Sequence, residues 1–306
     1  MKTIRRVGVL GAGTMGARIA AHFSNIGIPS LLLDLDQATA RKGLDAALKQ
    51  KPAGLFDDSS VSLISTGGFD QDLASLGTCD WIIEAVKEDL SIKRALWKRV
   101  EQVAAGDAIL STNTSGIPLA QITEGFSAAF RKRFLGAHFF NPPRYLHLLE
   151  VIAGSDTDRG LIEFASRFGE TRLGKGVVPC KDTPNFIGNR IGCFFGATVT
   201  KIALEGGYTV EETDALTGSL IGLPSSASFR LLDIVGLDVM VAVSGNLYDL
   251  IPQDPWRERF SIPPLYRELM SRRWARRRAP TTIGTRAAIP PASRRRIPRS
   301  PPGSIR

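Results

Sequence analysis

A histidine and a glutamate on either side of a proline-rich turn could act together in proton transfer. His138 precedes Asn141-Pro142-Pro143-Arg144, and Glu150 follows it. The two prolines demand a turn. If the flanking segments pair antiparallel about a centre near Arg144, His138 lies opposite Glu150, with Cβ atoms about 4.5–5.5 Å apart. The carboxylate would then orient the imidazole and stabilise its charged form, as expected of a general base that abstracts a hydroxyl proton. On spacing alone, a purely structural His–Glu hydrogen bond remains the alternative.

A second cluster, near the start of the chain, is suited to binding phosphates. Gly11-Ala12-Gly13-Thr14-Met15-Gly16 fits the pattern G-x-G-x-x-G between a predicted strand and a predicted helix. Gly11 permits the tight turn, Gly13 lets a pyrophosphate approach the backbone, and Gly16 lets helix and strand pack closely. Asp34 ends the second strand 23 residues after Gly11, where a carboxylate binds the ribose 2′-OH and repels a 2′-phosphate. The motif predicts NAD rather than NADP; the alternative is that the glycines serve only the turn.

The elements that must position these residues alternate between strand and helix. Apolar strands separated by helices indicate a parallel sheet covered on both faces. The predicted strands are Ile4–Leu10, Leu31–Asp34, Val61–Ile64, Trp81–Ala85, Ala108–Leu110, Arg133–Phe140, Leu146–Ile152 and Gly176–Cys180. The predicted helices are Thr14–Asn25, Gln37–Lys51, Lys93–Val103, Asp158–Phe168, Asn185–Leu204, Val210–Thr217 and Leu231–Leu250. We therefore expect a doubly wound, mostly parallel α/β domain of the Rossmann type over residues 1–183, followed by a smaller all-helical domain over residues 184–270.

Three further segments make the chain resemble the L-3-hydroxyacyl-CoA dehydrogenase family. In the order and approximate spacing of that family, they are Ser111-Thr112-Asn113-Thr114-Ser115, His138-Phe139-Phe140-Asn141-Pro142 with Glu150, and Asp182-Thr183-Pro184-Asn185-Phe186-Ile187-Gly188-Asn189-Arg190. The resemblance covers about Thr3 to Leu269, and the third segment is similar to the long bacterial form that is fused to an enoyl-CoA hydratase. It implies NAD-dependent oxidation of (S)-3-hydroxyacyl-CoA in fatty acid β-oxidation, with an acyl-CoA as substrate and a homodimer formed through the helical domain.

The resemblance also implies roles for individual residues. His138 would be the base, held by Glu150. Ser115 and Asn189 would hydrogen-bond the reacting oxygen and stabilise the charge that develops as hydride leaves C3. Besides the three glycines and Asp34, the residues implied to contact the cofactor are Met15, Glu88, Lys93, Ser115 and Asn141, the last beside the nicotinamide end.

Some of these residues have simpler interpretations. Ser115 and Asn113 could merely cap a following helix. Glu88 and Lys93 could be a solvated pair, although their spacing of five residues is a poor pairing distance in a helix. No metal is needed for this chemistry, and we expect none. Two functional alternatives also remain: another β-hydroxyacid dehydrogenase that acts on a substrate without CoA, and an inactive NAD-binding fragment.

The excess positive charge of the chain is confined to its C-terminal segment. The 306 residues carry 39 Lys and Arg against 30 Asp and Glu, but 11 of the arginines lie in Ser271–Arg306, which has no acidic residue. The rest of the chain is therefore mildly acidic, which argues against specific nucleic-acid binding. Rich in Arg and Pro and without hydrophobic periodicity, residues 271–306 are predicted to be disordered. Their abrupt start suggests a shifted reading frame or a truncation in place of the family's own ending.

Cysteine usage and hydropathy indicate the cellular setting. The three cysteines, Cys79, Cys180 and Cys193, are far apart and form neither a disulfide framework nor a metal-ligand spacing. This pattern favours a reducing compartment, and we expect a cytoplasmic protein. No apolar run approaches the length of about 18 residues that a membrane span requires, so we expect none.

Overall fold

The apolar strands predicted from the sequence form one eight-stranded sheet. The computed structural model describes residues 2–268, and the predicted tail over residues 271–306 lies outside them. The chain divides into two compact units, the first ending at Asn189 and the second beginning at Arg190.

The sheet belongs to the first unit and is almost entirely parallel. Its strands are β1 (Val7–Leu10), β2 (Ser30–Asp34), β3 (Ile64–Gly68), β4 (Trp81–Glu84), β5 (Ile109–Thr112), β6 (Phe134–Phe139), β7 (Leu148–Ala153) and β8 (Gly176–Lys181). Their order across the sheet is β3-β2-β1-β4-β5-β6-β7-β8. Among these described strands, only the β6–β7 pair is antiparallel. The prediction of a doubly wound, mostly parallel sheet is confirmed.

Helices cover both faces of this sheet. They are α1 (Thr14–Ser24), α2 (Gln37–Lys49), α3 (Phe69–Asp72), α4 (Leu90–Val103), α5 (Leu119–Ile122), α6 (Ala128–Lys132) and α7 (Arg159–Thr171). Successive side chains of a strand point to opposite faces, so Trp81 and Ile82 lie in different core clusters. Trp81 packs on one face with Phe23 and Phe168. The hydrophobic cores on the two faces fix the strands that carry the candidate site residues.

One predicted strand of this unit is wrong. The sequence predicts an extended Val61–Ile64, but a 3-10 helix spans Asp58–Leu63, and β3 begins only at Ile64. The side chain of Asp57 accepts a hydrogen bond from the N–H of Ser59 at 2.7 Å, which starts the helical turn. A local cap therefore overrides the strand preference of the following apolar residues.

The second unit is helical, as predicted, and comprises most of α8 (Gly188–Gly206) together with α9 (Val210–Thr217), α10 (Phe229–Val235) and α11 (Leu237–Leu250). The helix predicted from Asn185 begins three residues later, because Asn185 and Phe186 have positive φ angles of 58° and 49°. The single helix predicted over Leu231–Leu250 is broken by Gly236, whose φ of 99° is incompatible with a helix.

Neither helix at this break reaches membrane-spanning length alone. Within residues 2–268, no single helix is long and apolar enough to cross a bilayer. Taken together, α10 and α11 have the length and the apolar composition of a membrane span, but nothing beyond length and composition points to one, and the two helices meet at an angle of 97°.

Candidate active site

The glycine-rich turn between β1 and α1 is shaped to hold phosphate groups. Gly11 has a φ of 95°, a conformation that residues with side chains rarely adopt. A Cβ on Gly16 would lie 1.7 Å from the carbonyl oxygen of Gly11, so only glycine lets α1 start this close to the strand. Gly13 caps α1 without a side-chain hydrogen bond, and a Cβ on Gly13 would meet no described atom within 4 Å. The first N–H groups of α1 are therefore open to an anion, and this turn fits the pyrophosphate of NAD.

Asp34 lies at the carboxyl end of β2 and is tied to the same turn. Its Oδ2 accepts a hydrogen bond from the N–H of Ala12 at 2.6 Å, and its Oδ1 accepts one from the N–H of Leu35 at 2.7 Å. Each carboxylate oxygen retains a second lone pair, so the half-buried Asp34 can still accept a bond from a ribose hydroxyl.

Two other residues shape the turn. A Cβ on Gly43 of α2 would lie 2.0 Å from the carbonyl oxygen of Ala12, so α2 packs directly on the turn. Gly43 was not predicted from the sequence, although a glycine inside a charged helix is itself a signal, since it costs about 1 kcal/mol relative to alanine. Met15, predicted to contact NAD, is half-buried and packs against the hydrophobic core; its contact with the cofactor stays a prediction.

Lys93 forms a buried ionic network rather than a solvated pair. Its side chain is 1% exposed, and its Nζ lies 2.7 Å from Oε1 of Glu84 and 3.1 Å from Oε2 of Glu88. The fully buried Glu84 also accepts a hydrogen bond from Oγ1 of Thr112 at 2.7 Å. The solvated-pair alternative is wrong because Lys93 is buried. The spacing of five residues does not prevent the contact, because Asp89 caps α4 and Glu88 therefore precedes the helix. Glu84 was not predicted from the sequence either, although a charged residue that ends an apolar strand is itself a signal.

Glu88 connects this network to the loop that follows β5. Its Oε1 accepts hydrogen bonds from Oγ1 of Thr114 and from the N–H of Ser115, the latter at 2.9 Å. Partial burial favours the neutral acid, but the Lys93 ammonium and these hydrogen bonds outweigh it and lower the pKa of Glu88. The helix-cap alternative for Ser115 is wrong, because the next helix, α5, is capped at Pro118. The contacts of Glu88 and Lys93 with NAD stay predictions.

His138 lies directly opposite Glu150 in the β6–β7 ladder, which confirms the predicted pairing. Its Nδ1 is 2.7 Å from Oε2 of Glu150, and the two side chains are 5% and 0% exposed. On the other side of the ring, Nε2 lies 3.2 Å from Oγ of Ser115. Because an ionised carboxylate can only accept, Nδ1 of His138 donates to Glu150, and in the neutral imidazole the lone pair of Nε2 faces Ser115.

Glu150 is held from its other side by the start of α8. Its Oε1 accepts hydrogen bonds from the N–H groups of Ile187 at 2.9 Å and Gly188 at 2.7 Å. Burial favours the neutral acid, but the bonds from His138 and these two N–H groups lower the pKa of Glu150. Asn189 follows directly in the first turn of α8 and is half-buried. Its predicted contact with the reacting oxygen is not tested by this arrangement.

Asn141, predicted to lie beside the nicotinamide, follows β6 and is exposed. A cis peptide bond joins it to Pro142. Its side-chain Oδ1 accepts a hydrogen bond from Nη1 of Arg18 in α1, a residue that sequence analysis did not single out.

A Ser–His–Glu arrangement can also serve acyl transfer, but the loop after β5 does not support that chemistry. Acyl transfer needs N–H groups aimed at the developing oxyanion. Here the N–H of Ser115 donates to Glu88, and those of Gly116 and Ile117 donate to Oγ1 of Thr114 at 3.4 and 3.0 Å. These three donors are taken up by Glu88 and by Thr114 of the loop itself, and the site suits abstraction of a hydroxyl proton by His138.

Family models match nearly all of the part of the chain that the structure describes. The model of the 3-hydroxyacyl-CoA dehydrogenase NAD binding domain matches residues 6–183, and that of the C-terminal domain matches residues 186–283. This chain belongs to the 3-hydroxyacyl-CoA dehydrogenase family. The family is one of oxidoreductases, and the cofactor of its first domain is NAD, as the glycine-rich turn predicts.

Individual relatives agree with the family models. The chain is 45% identical over 294 residues to a probable 3-hydroxyacyl-CoA dehydrogenase of Bacillus subtilis, covering 89% of this chain but only 37% of that protein. It is 42% identical over 275 residues to a probable 3-hydroxyacyl-CoA dehydrogenase of Deinococcus radiodurans, covering 88% of this chain and 79% of that protein. The crystal structure of (S)-3-hydroxybutyryl-CoA dehydrogenase from Ralstonia eutropha superposes with a TM-score of 0.74 at 29% identity, covering 88% of this chain and 94% of that chain.

Proposed function

We propose that this chain oxidises (S)-3-hydroxyacyl-CoA to 3-oxoacyl-CoA and reduces NAD to NADH in fatty acid β-oxidation. The observation that carries the proposal is the pair of contacts made by the His138 ring: Nδ1 is hydrogen-bonded to Glu150, while Nε2 faces Ser115. The names of the relatives support the substrate class, since they are dehydrogenases of 3-hydroxyacyl-CoA or of 3-hydroxybutyryl-CoA.

The side chains assigned to the site have complementary tasks in this reaction. Nε2 takes the proton of the substrate's 3-hydroxyl group, and the carboxylate of Glu150 stabilises the imidazolium that results. The hydroxyl of Ser115 donates a hydrogen bond to the same substrate oxygen, and Asn189 adds a second polar contact. When bound, NAD accepts the hydride from C3. Oxidation thus yields the 3-oxo group, NADH and one proton on His138.

The experiment that tests this proposal replaces the base. His138→Ala should lower kcat by about 10²–10⁴-fold, the usual loss of a general base, while leaving NADH binding largely intact. His147→Ala is the matched control, because His147 is exposed and its Nδ1 lies 3.3 Å from the carbonyl oxygen of Gly174, away from the base. Oxidation of 3-hydroxybutyryl-CoA at the unmodified rate by the His138 variant would mean that the base lies elsewhere.

Dependence on the CoA moiety separates the proposed substrate from a free hydroxy acid. We expect turnover with 3-hydroxybutyryl-CoA to exceed turnover with 3-hydroxybutyrate at equal concentration. Equal rates with both compounds would favour the β-hydroxyacid alternative. NADH binding without turnover of either compound would favour the inactive fragment.

We further propose that the protein is a homodimer formed through its helical unit. Large apolar side chains are exposed along this unit, with exposed fractions between 51% and 73%: Ile191, Ile202, Leu216, Leu220, Ile221 and Ile234. Exposed apolar side chains in such number are typical of an interface between subunits. Sedimentation at micromolar concentration should give the mass of a dimer, and a monomer would contradict the proposal.

The three unpaired cysteines support a reducing, cytoplasmic setting.

A further inference from the structure

The loop that follows the catalytic strand β6 is held by basic side chains from three places. Arg18 of α1 donates to Oδ1 of Asn141. The buried Lys175 donates through Nζ to the carbonyl oxygen of Pro143 and, at 2.8 Å, to that of Leu146. Arg144, within the loop, donates to the carbonyl oxygens of Ala53 and Leu55 in the segment before β3.

We propose that Arg18 is a positioning residue that fixes the side-chain amide of Asn141 for NAD, an inference that rests on the proposed dehydrogenase function. A guanidinium has five N–H donors and no acceptor, so it can bind only the oxygen of an amide. The contact with Oδ1 therefore selects one of the two amide orientations. The NH2 group of Asn141 is left on the side away from Arg18, as a donor for a ligand.

The backbone under Asn141 is already fixed, so the remaining freedom lies in its side chain. Besides the two bonds from Lys175, the N–H groups of Tyr145 and Leu146 donate to the carbonyl oxygen of Pro142 at 3.0 and 2.9 Å. Asn141 itself is exposed, and an exposed amide on a fixed backbone samples both orientations unless a partner selects one. Arg18 supplies that partner.

A structural role does not account for this arginine. None of the ion pairs within residues 2–268 includes Arg18. Its hydrogen bond ends on an exposed side chain, and such surface contacts contribute little to folding. The contact is better explained by what it does to Asn141.

The test compares four variants: Arg18→Met, Arg18→Lys, Asn141→Ala and the double variant Arg18→Met with Asn141→Ala. NADH affinity is measured by fluorescence without any acyl-CoA, and kcat and both KM values are measured in turnover. Arg18→Met should weaken NADH binding and raise the KM for NAD by about fivefold, because the freed Asn141 side chain spreads over roughly three χ1 rotamers and two amide orientations, of which about one in six presents the NH2 group to NAD. The KM for acyl-CoA should stay unchanged. Arg18→Lys should recover part of the loss, because an ammonium is also only a donor.

The double variant decides whether Arg18 acts through Asn141. If it does, Arg18→Met adds no further loss once the amide is gone, because interacting residues are not additive. Arg41→Met is the matched control, since Arg41 is an exposed arginine of α2 that pairs with Asp45 of the same helix at 3.0 Å; it should leave all values unchanged. NADH affinity of Arg18→Met within about twofold of the unmodified protein, or full additivity in the double variant, would overturn the proposal.

The same measurements separate this inference from the proposed function. If the unmodified protein binds NADH but oxidises no 3-hydroxyacyl-CoA, the proposed function fails, and the NADH affinities still decide the role of Arg18. If turnover is normal and Arg18→Met changes nothing, the positioning role alone fails.

Discussion

Replacing Glu150 by glutamine should disable the base without unfolding the protein. The carboxylate uses Oε1 for the N–H groups of Ile187 and Gly188 and Oε2 for Nδ1 of His138. Glutamine has one oxygen and one NH2 group. If its oxygen keeps the two N–H groups, its NH2 group faces Nδ1, where the imidazole also presents a proton. The ring must then move its proton to Nε2, and the base is lost.

The opposite amide orientation is less favourable. It would place the NH2 group of the introduced glutamine against the N–H groups of Ile187 and Gly188, leaving two buried donors without an acceptor at about 1–3 kcal/mol each. The first orientation therefore dominates. We expect kcat to fall by about 10²–10⁴-fold, with a melting temperature close to that of the unmodified protein, since both backbone contacts survive.

The assay follows NADH production from 3-hydroxybutyryl-CoA beside a thermal melt. In a His138→Ala background, Glu150→Gln should cause no further loss, because residues that act as a unit are not additive. A kcat for Glu150→Gln within about threefold of the unmodified value would refute the prediction that the proton of His138 moves from Nδ1 to Nε2. A further large loss in the His138→Ala background would mean that Glu150 acts on something other than the imidazole.

Three further predictions follow from the ionisable side chains of the first unit. Asp34→Ala should narrow the preference for NAD over NADP, measured as the ratio of the two kcat/KM values, because the 2′-phosphate no longer meets a carboxylate; equal values for the two cofactors in the unmodified protein would contradict this role. Lys93→Met should lower the free energy of unfolding in urea by about 3–5 kcal/mol, because it leaves Glu84 buried without a counter-ion; a loss below about 1 kcal/mol would contradict it. Stability should fall as the pH drops below about 6.5, because burial lowers the pKa of His22 to about 4 and the unfolded chain therefore binds a proton first. The lowered pKa values of Glu88 and Glu150 add a further loss that begins near their usual value of 4.5 and continues as the pH drops through the lowered values. Unfolding in urea between about pH 3 and 7 measures this, and a stability that rises on acidification would contradict it.

The pairing of His138 with Glu150 could be predicted because it is a local consequence of the sequence. A Pro-Pro turn fixes the centre of the hairpin, and the antiparallel register then follows from counting residues. The cofactor turn could be predicted for a similar reason, since the three glycines and Asp34 lie within one strand–helix–strand unit. In both cases a short segment contains the geometry.

The ionic network of Lys93 could not be predicted in the same way. Helical periodicity predicts that Glu88 and Lys93 are badly spaced for pairing, but it does not apply to them, because the helix is capped at Asp89 and Glu88 belongs to the preceding turn. Glu84 and Thr112 come together only because β4 and β5 are neighbours in the sheet, paired directly at these two residues. Contacts between neighbouring strands of a parallel sheet depend on a register that no single segment specifies.

The contacts on the two sides of the His138 imidazole therefore come from different parts of the fold. The Nδ1 side is held within the hairpin, by Glu150. The Nε2 side faces Ser115, whose N–H is held by Glu88, which is held in turn by the buried Lys93. Replacing Lys93 should consequently have two effects: the loss of stability caused by the unpaired buried carboxylate, and a loss of order at Ser115 that lowers kcat even in protein that is fully folded. Stability alone cannot produce the second effect, since folded molecules with an intact Ser115 would turn over at the unmodified rate.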